Sequence, residues 1–216
     1  MERIALCDLT SGDSVHSLRG HRGGCASLSW SPVNEYMLFT AGQDSTIRVW
    51  DIRKTTPLIV LDSHRTKYRM EAERVNPAIK KFRIGLNQHG TAHNGAVISL
   101  ATTSDGCYMM SYGSDKKLKL WDLVNFTNCN VHYPLGTYKN NLFLSRIAIA
   151  KTDNVAAFTL HSCVGLYDIF TGERISVIKE NYKAVNCCLF HPTREVAASF
   201  TLQFASAYFQ IGILHR

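Results

Sequence analysis

The sequence lacks the long apolar runs and closely paired cysteines that mark several classes of protein. No stretch approaches about 18 consecutive apolar residues, so we expect neither secretion nor insertion into a membrane. The seven cysteines show no Cys-x-x-Cys spacing, which argues against a zinc site and favours reduced thiols in the cytosol or nucleus. We therefore expect neither a metal nor any other cofactor.

Charge is also scarce, at 19% of the residues against 45% hydrophobic residues, as in an ordinary globular protein. The net charge of +7 comes mainly from residues 65–83, which hold seven basic and two acidic side chains. A single basic segment is more typical of a solvated loop than of a nucleic-acid interface, so direct nucleic-acid binding is not expected. The side chains of His64, His89, His93 and Asp62 match no metal-binding spacing.

One pattern recurs along the chain. It reads AGQDSTIRVWDIR at residues 41–53 and YGSDKKLKLWDLV at residues 112–124, and in both copies the turn Asp precedes the Trp by six residues. Weaker copies end at Asp8 and Asp168, so the final Asp residues are spaced by 43, 71 and 46 residues. A period of about 40 to 45 residues that opens with Gly-His and ends in Trp-Asp is typical of four-stranded propeller blades. The chain therefore resembles WD-repeat proteins.

Four side chains of each clear copy are predicted to converge inside one blade. The two sets are His21, Thr40, Asp44 and Trp50, and His93, Ser111, Asp115 and Trp121. We expect the histidine to bridge the carboxylate and the hydroxyl while the indole N–H finds an acceptor, because buried polar groups must be paired. A His, an Asp and a hydroxyl also resemble a catalytic triad. Because the trio occurs at the same spacing in two blades, we predict structural networks and no enzyme.

Alternation between turn residues predicts an all-β fold, namely an incomplete WD-repeat β-propeller with about three full blades and partial blades at both ends. Residues 1–199 would hold the blades, with a basic loop inserted at residues 62–91, and residues 200–216 would form a divergent carboxyl-terminal tail. Since a propeller avoids exposed strand edges by closing a ring, we expect a piece of a longer product. The predicted strands of the best-defined blade are Cys25–Trp30, Met37–Ala41, Thr46–Asp51 and Pro57–Leu61, and the last strand of the next blade is predicted at Cys129–Tyr133.

Segments outside the repeat pattern make the chain similar to one family of WD-repeat proteins. TAHNG at residues 91–95 and YKAVNCC at residues 182–188, together with blade segments between about residues 3 and 199, resemble the Cockayne syndrome group A family. The resemblance implies a nuclear substrate receptor of a cullin-4 RING ubiquitin ligase that acts in transcription-coupled nucleotide excision repair. It also implies the Cockayne syndrome group B ATPase and the RNA polymerase II complex as partners. The sequence departs from the family at residues 62–91 and after Ser199.

The first clear copy ends in a WD-x-Arg box, whereas the second has Val124 in place of the arginine. Such a box resembles those with which WD-repeat substrate receptors dock on the damaged-DNA-binding adaptor of cullin-4 ligases. The resemblance implies Trp50, Asp51 and Arg53 as adaptor-binding residues. An arginine at a blade edge suits the carboxylate or carbonyl groups of a partner, but an intramolecular salt bridge between neighbouring blades is the other interpretation.

The predicted function is therefore a non-catalytic substrate-recognition subunit of a ubiquitin ligase. The alternative is a general WD-repeat protein-interaction scaffold without a ligase, whose partner would ignore Arg53.

Overall fold

The structure is a computed structural model that describes residues 3–65, 90–136, 145–152, 154–160, 162–178, 185–190, 196–203 and 206–213, the last two ranges as backbone. Within these ranges seventeen strands form five antiparallel sheets, and there is no helix. The strands are β1 Arg3–Cys7, β2 Ser14–Arg19, β3 Cys25–Trp30, β4 Met37–Gly42, β5 Ile47–Asp51, β6 Ile59–Val60, β7 Val97–Thr102, β8 Tyr108–Gly113, β9 Leu118–Asp122, β10 Thr127–Asn128, β11 Ile147–Ile149, β12 Val155–Leu160, β13 Cys163–Asp168, β14 Arg174–Ile178, β15 Val185–Phe190, β16 Val196–Gln203 and β17 Ser206–Ile213.

Each sheet is a meander in which strands pair in chain order. The first sheet is β1–β2, the next three are β3–β6, β7–β10 and β11–β14, and the fifth is β15–β17. The β4–β5 and β8–β9 turns are tight, with φ angles of 66° at Ser45 and 58° at Lys116. In each turn the preceding Asp carboxylate accepts a hydrogen bond from the backbone N–H two residues later, at 3.3 and 3.2 Å. This Asx interaction favours a turn over a continued strand.

Neighbouring sheets are joined along their first strands, which run parallel to each other. The Leu100 N–H donates to Ser27 Oγ at 3.2 Å, and the hydroxyls of Ser29 and Thr102 lie 3.0 Å apart. Because both partners advance by two residues between these contacts, β3 and β7 run in the same direction. The β4–β5 and β8–β9 turns therefore lie at the same end of their sheets.

Apolar side chains fill the spaces between sheets. Between the third and fourth sheets, the ring centroids of Tyr112 and Phe158 lie 4.5 Å apart, and the Ile147 N–H donates to Ser99 Oγ at 3.1 Å. The cluster between the second and third sheets includes Phe39, Val49, Val97, Met109 and Trp121. Removal of these surfaces from water is the main force that holds blade against blade.

In the described part of the fourth sheet, aromatic side chains replace two members of the repeated polar network. In β12, Phe158 lies three residues after Val155, which pairs with Asp168. Thr40 and Ser111 hold the equivalent positions in the two preceding sheets. Tyr167 replaces the tryptophan and is fully buried. An aromatic ring therefore occupies the strand position that a hydroxyl holds in the other two sheets.

The predicted fold class, an incomplete all-β WD-repeat propeller, is confirmed. One predicted strand is wrong, because β10 spans Thr127–Asn128 and not Cys129–Tyr133. Asn130 has a φ of 61°, and its N–H donates to Asn128 Oδ1 at 2.9 Å, so the chain turns away from the sheet after two paired residues. The predicted domain boundaries stay predictions, since residues 66–89 lie outside the described ranges and β16 runs across position 199.

Candidate protein-binding site

The first predicted network fills the interior of the second sheet beside the β4–β5 turn. Trp50 Nε1 donates to Thr40 Oγ1 at 2.8 Å, and this hydroxyl lies 2.8 Å from His21 Nε2. His21 Nδ1 lies 2.9 Å from Asp44 Oδ1. Because an indole N–H only donates and a carboxylate only accepts, the hydroxyl donates to Nε2 and the Nδ1–H donates to Asp44. The four side chains form one continuous line of hydrogen bonds.

The third sheet contains the second predicted network with the same geometry. Trp121 Nε1 donates to Ser111 Oγ at 2.8 Å, this hydroxyl lies 2.8 Å from His93 Nε2, and His93 Nδ1 lies 2.9 Å from Asp115 Oδ1. His93 is 1% exposed and His21 is 3% exposed. Each imidazole is buried and hydrogen-bonded at both nitrogens, so it links the side chains of neighbouring strands and fixes their register.

Burial and hydrogen bonding set the protonation states of the networks. Burial lowers the pKa of His21 and His93 below the ordinary 6.5, despite their hydrogen bonds to carboxylates. Burial opposes ionisation of Asp44, but hydrogen bonds from a backbone N–H, a threonine hydroxyl and the imidazole outweigh it and lower its pKa to about 2. Each network thus pairs a neutral imidazole with an ionised carboxylate at neutral pH.

A glycine two residues before each turn Asp makes room for the imidazole, and sequence reasoning missed it. A Cβ atom on Gly42 would lie 2.2 Å from His21 Nδ1, and one on Gly113 would lie 2.6 Å from His93 Nδ1. Both distances are far below an ordinary contact, so a side chain at either position would displace the histidine. The signal was present, since both copies carry glycine here, in AGQD and YGSD.

Arg53 forms an ordered cation at the surface. Its Nε and Nη2 atoms each donate to an oxygen of Asp51 at 2.9 Å, and its guanidinium carbon lies 4.2 Å from the centroid of the Tyr36 ring. The hydrogen bond from Arg53 lowers the pKa of Asp51 to about 2, and the same bond raises the pKa of Arg53. The Arg53 side chain nevertheless remains 63% exposed. A bidentate pair stacked on an aromatic ring presents a fixed orientation to the outside.

The Arg53 surface and the β4–β5 turn occupy opposite ends of the second sheet. Asp51 pairs with Met37 at the start of β4, whereas the turn follows Gly42 at the end of this strand. A strand of six residues spans roughly 20 Å. A partner at Arg53 would therefore leave the other end of the sheet open.

The three residues of the predicted adaptor box have different roles in the structure. Trp50 is fully buried, and Asp51 is 8% exposed and orients the arginine, so Arg53 carries the exposed surface of the box. The intramolecular salt bridge left open above exists, but it lies within one strand end and not between neighbouring blades. In the third sheet the equivalent Val124 is 72% exposed and its N–H donates to the Asp122 carboxylate at 2.8 Å.

Tyr36 was not singled out from the sequence. It precedes β4 and reaches Arg53 only because β4 and β5 pair across 15 residues of chain, from Met37 to Asp51. No local pattern marks such a contact.

The structure offers no metal centre in the part that it describes. Across the described ranges, no group of three or more His, Cys, Asp or Glu side chains is placed to hold a metal ion. His89 lies outside those ranges. Among the described residues there is likewise no helix with the length and apolar character required to cross a bilayer.

Comparison with known proteins gives matches across the blades. WD repeat-containing protein ATCSA-1 of Arabidopsis thaliana is 27% identical over 242 residues, which cover 88% of this chain and 53% of that protein. Polycomb protein EED of Chaetomium thermophilum is 26% identical over 155 residues, or 72% of this chain and 23% of that protein. Striatin-3 of Bos taurus is 34% identical over 140 residues, or 65% and 15%. The chain thus spans about half the length of the first relative and less of the other two.

A family model also matches the chain, on the sheets that carry the two networks. Residues 12–51 and residues 86–122 match the WD domain, G-beta repeat. The first match covers β2 to β5, and the second covers β7 to β9. These matches agree with the four-stranded meanders and with the repeated His, Asp and Trp network of the second and third sheets, which resemble WD repeats.

Proposed function

We propose that this chain is a non-catalytic substrate-recognition subunit of a cullin-4 RING ubiquitin ligase that acts in transcription-coupled nucleotide excision repair in the nucleus. The observation that carries the proposal is the exposed Arg53 guanidinium, held by Asp51 and stacked on Tyr36. Arg53 would contact the damaged-DNA-binding adaptor. The Cockayne syndrome group B ATPase and the RNA polymerase II complex are the further partners implied by the family resemblance.

The geometry of Arg53 suits a docking residue. A guanidinium has five N–H donors, and the pair with Asp51 uses its Nε and Nη2 atoms on one edge. Because the Arg53 side chain is already fixed by Asp51 and Tyr36, it would lose little conformational entropy when a partner binds. Arginine and tyrosine are also enriched among residues that dominate the energy of protein interfaces.

The breadth of one similarity supports the same function. The match to ATCSA-1 covers 88% of this chain, whereas the matches to EED and striatin-3 cover 72% and 65%. A match that extends over most of the chain is expected if the likeness includes segments outside the repeat pattern.

The proposed mechanism is positional. A receptor bound to the adaptor holds a substrate near a ubiquitin-charged enzyme and so raises the local concentration of the reacting lysine. In this role the buried histidines keep the blades in register and take no part in chemistry.

Affinity capture from nuclear extract tests the proposal. Tagged residues 1–216 and the Arg53→Val variant, which copies the residue of the third sheet, are compared for the amount of adaptor recovered. We expect the variant to recover at least about tenfold less, as for a central interface arginine. Urea unfolding of both proteins checks that the substitution leaves the fold intact.

Lys54→Gln is the matched control, because it removes one exposed positive charge next to Arg53. It should retain adaptor capture. Equal recovery by the parent and Arg53→Val, an equal loss in Lys54→Gln, or failure of the folded parent to capture the adaptor would each contradict the proposal.

A general protein-interaction scaffold is the second candidate function. The similarity to EED and striatin-3 favours it, because it shows that the likeness is not confined to proteins of one name. A partner recovered equally by the parent and Arg53→Val in the same experiment, with no adaptor present, would support this candidate.

A further inference from the structure

A second surface, which we call the lysine cavity, lies at the β8–β9 turn. Its volume is about 730 Å³, and it is open to solvent between this turn and the segment that follows β10. Lys116, Lys117 and Lys119 line one side, and Asn128 and residues 130–136 line the other. A cavity of this size is within the range that accommodates ligands or short peptide segments.

The lysines are not neutralised within the cavity. Among the described residues that line it, Asp115 is the one acidic side chain. Both of its oxygens are engaged in the third sheet, since they accept from His93 Nδ1 at 2.9 and 3.1 Å and from the N–H groups of Asn94 and Lys117 at 3.0 and 3.2 Å. Since three lysines face one carboxylate that is already engaged by the polar network, the described lining carries a net positive charge.

Lys119 is the least exposed of the three lysines. Its Nζ donates to the Ala92 carbonyl at 2.6 Å, and the side chain is half-buried. Burial lowers the pKa of Lys119; the Asp115 carboxylate acts against this shift, and the positive charge of Lys117 adds to it. An ammonium group in this position gains more from an incoming anion than a fully solvated one, because water screens it less.

The composition of the cavity distinguishes among anionic ligands. Single-stranded nucleic acid binds through aromatic rings on which bases stack, in addition to basic side chains. Tyr133 lines the cavity but is 5% exposed, and its hydroxyl donates to the Ile169 carbonyl, so its ring is part of the core. The imidazoles of His64 and His132 also line the cavity and are exposed. The lining thus combines basic groups that suit carboxylate or phosphate with no exposed Phe, Tyr or Trp ring among the described residues.

We propose that the lysine cavity binds an acidic segment of another protein, through carboxylate or phosphate groups that contact Lys116, Lys117 and Lys119. The β8–β9 turn lies at the same end of the sheets as the β4–β5 turn, opposite to Arg53. One partner can therefore occupy the cavity while another occupies the Arg53 surface. The site does not depend on the proposed ligase function, because none of its residues belongs to the Arg53 surface.

Fluorescence anisotropy with the whole 216-residue chain tests the site. The probes are a labelled oligoglutamate peptide, a phosphoserine peptide and an oligoglutamine peptide of the same length. The double variant Lys116→Gln and Lys117→Gln should weaken binding of the acidic probes at least about tenfold, and binding should fall with added salt. Comparison of the two acidic probes identifies carboxylate or phosphate as the preferred group.

The control is the double variant Lys54→Gln and Lys151→Gln, which removes the same charge from exposed lysines outside the cavity. It should bind as the parent does. Four outcomes overturn the proposal: no binding of either acidic probe, equal binding of the oligoglutamine probe, an equal loss in both double variants, or tighter binding of a labelled oligothymidylate than of the acidic peptides. Arg53→Val should bind the acidic probes normally, so a failure here is distinguishable from a failure of the adaptor experiment.

Discussion

Replacement of His93 by alanine tests whether the repeated networks are structural. His93 lies in the third sheet, 1% exposed, with one ring nitrogen toward Asp115 and the other toward Ser111. The substitution removes both hydrogen bonds and leaves a space the size of an imidazole. Asp115 keeps its bonds from two backbone N–H groups, so its charge is not stranded.

The expected loss follows from these contacts. A hydrogen bond to a charged group contributes about 1.5 to 3 kcal/mol, and one between neutral groups about 0.5 to 1.5 kcal/mol. Water that reaches Asp115 in the variant offsets part of the loss. We expect the free energy of unfolding to fall by about 3 kcal/mol, which raises the unfolded-to-folded ratio by roughly a hundredfold.

Urea unfolding at pH 7.5, followed by tryptophan fluorescence, measures this change. Trp50 and Trp121 are fully buried, so their emission should shift when the blades open. His64→Ala serves as the control because His64 is exposed, and it should alter the free energy of unfolding by less than about 0.5 kcal/mol. Ser111→Ala is a milder second variant should His93→Ala fail to fold.

The structural interpretation fails if His93→Ala and His64→Ala have equal effects. It also fails if His93→Ala abolishes an enzymatic activity without a change in unfolding free energy. Combination of His93→Ala with Ser111→Ala should cost less than the sum of the two single changes, because both remove the same hydrogen bond.

Two further predictions follow from the networks. The pKa values of His21 and His93 lie below 6.5 in the folded state, so the unfolded chain binds more protons below that pH and stability should fall as pH drops below about 6.5. A further loss of stability should follow between pH 3.8 and about 2, as Asp44 is protonated. A urea midpoint that stays constant from pH 7.5 to 5 would contradict the prediction for the two histidines. Gly113→Ala should reduce the free energy of unfolding by about 1 to 3 kcal/mol, because the added Cβ would lie 2.6 Å from His93, and a loss below 0.5 kcal/mol would contradict this.

The strands of the second sheet were predictable because local patterns determine them. The structure places β3 at Cys25–Trp30, as predicted, and β4 ends at Gly42, one residue beyond the predicted Ala41. Alternation sets the period, and the Asp44 turn sets the end of the strand. The members of each network were also predictable, since their spacing recurs in two copies of the pattern.

The features that were not predicted from the sequence depend on contacts between distant parts of the chain. Alternation in Cys129–Tyr133 suggested a strand, but Asn130 adopts a left-handed conformation, and Tyr133 donates its hydroxyl to Ile169 in the fourth sheet. The lysine cavity likewise needs the segment after β10 to face the β8–β9 turn. A single sequence shows which residues repeat, but not which segments from different blades meet.

Comparison of the second and third sheets distinguishes residues that maintain the fold from surface residues that differ between the blades. Positions that are the same in both copies, such as His21 and His93, are buried and hold the strands in register. Some positions that differ lie at the surface: Arg53 corresponds to Val124, and the turn position of Ser45 in one blade is held by the exposed Lys116 in the other. In the two proposals made above, recognition depends on these surface differences. Arg53 and Lys116 lie at opposite ends of the sheets, so the proposed partners would not compete for one surface.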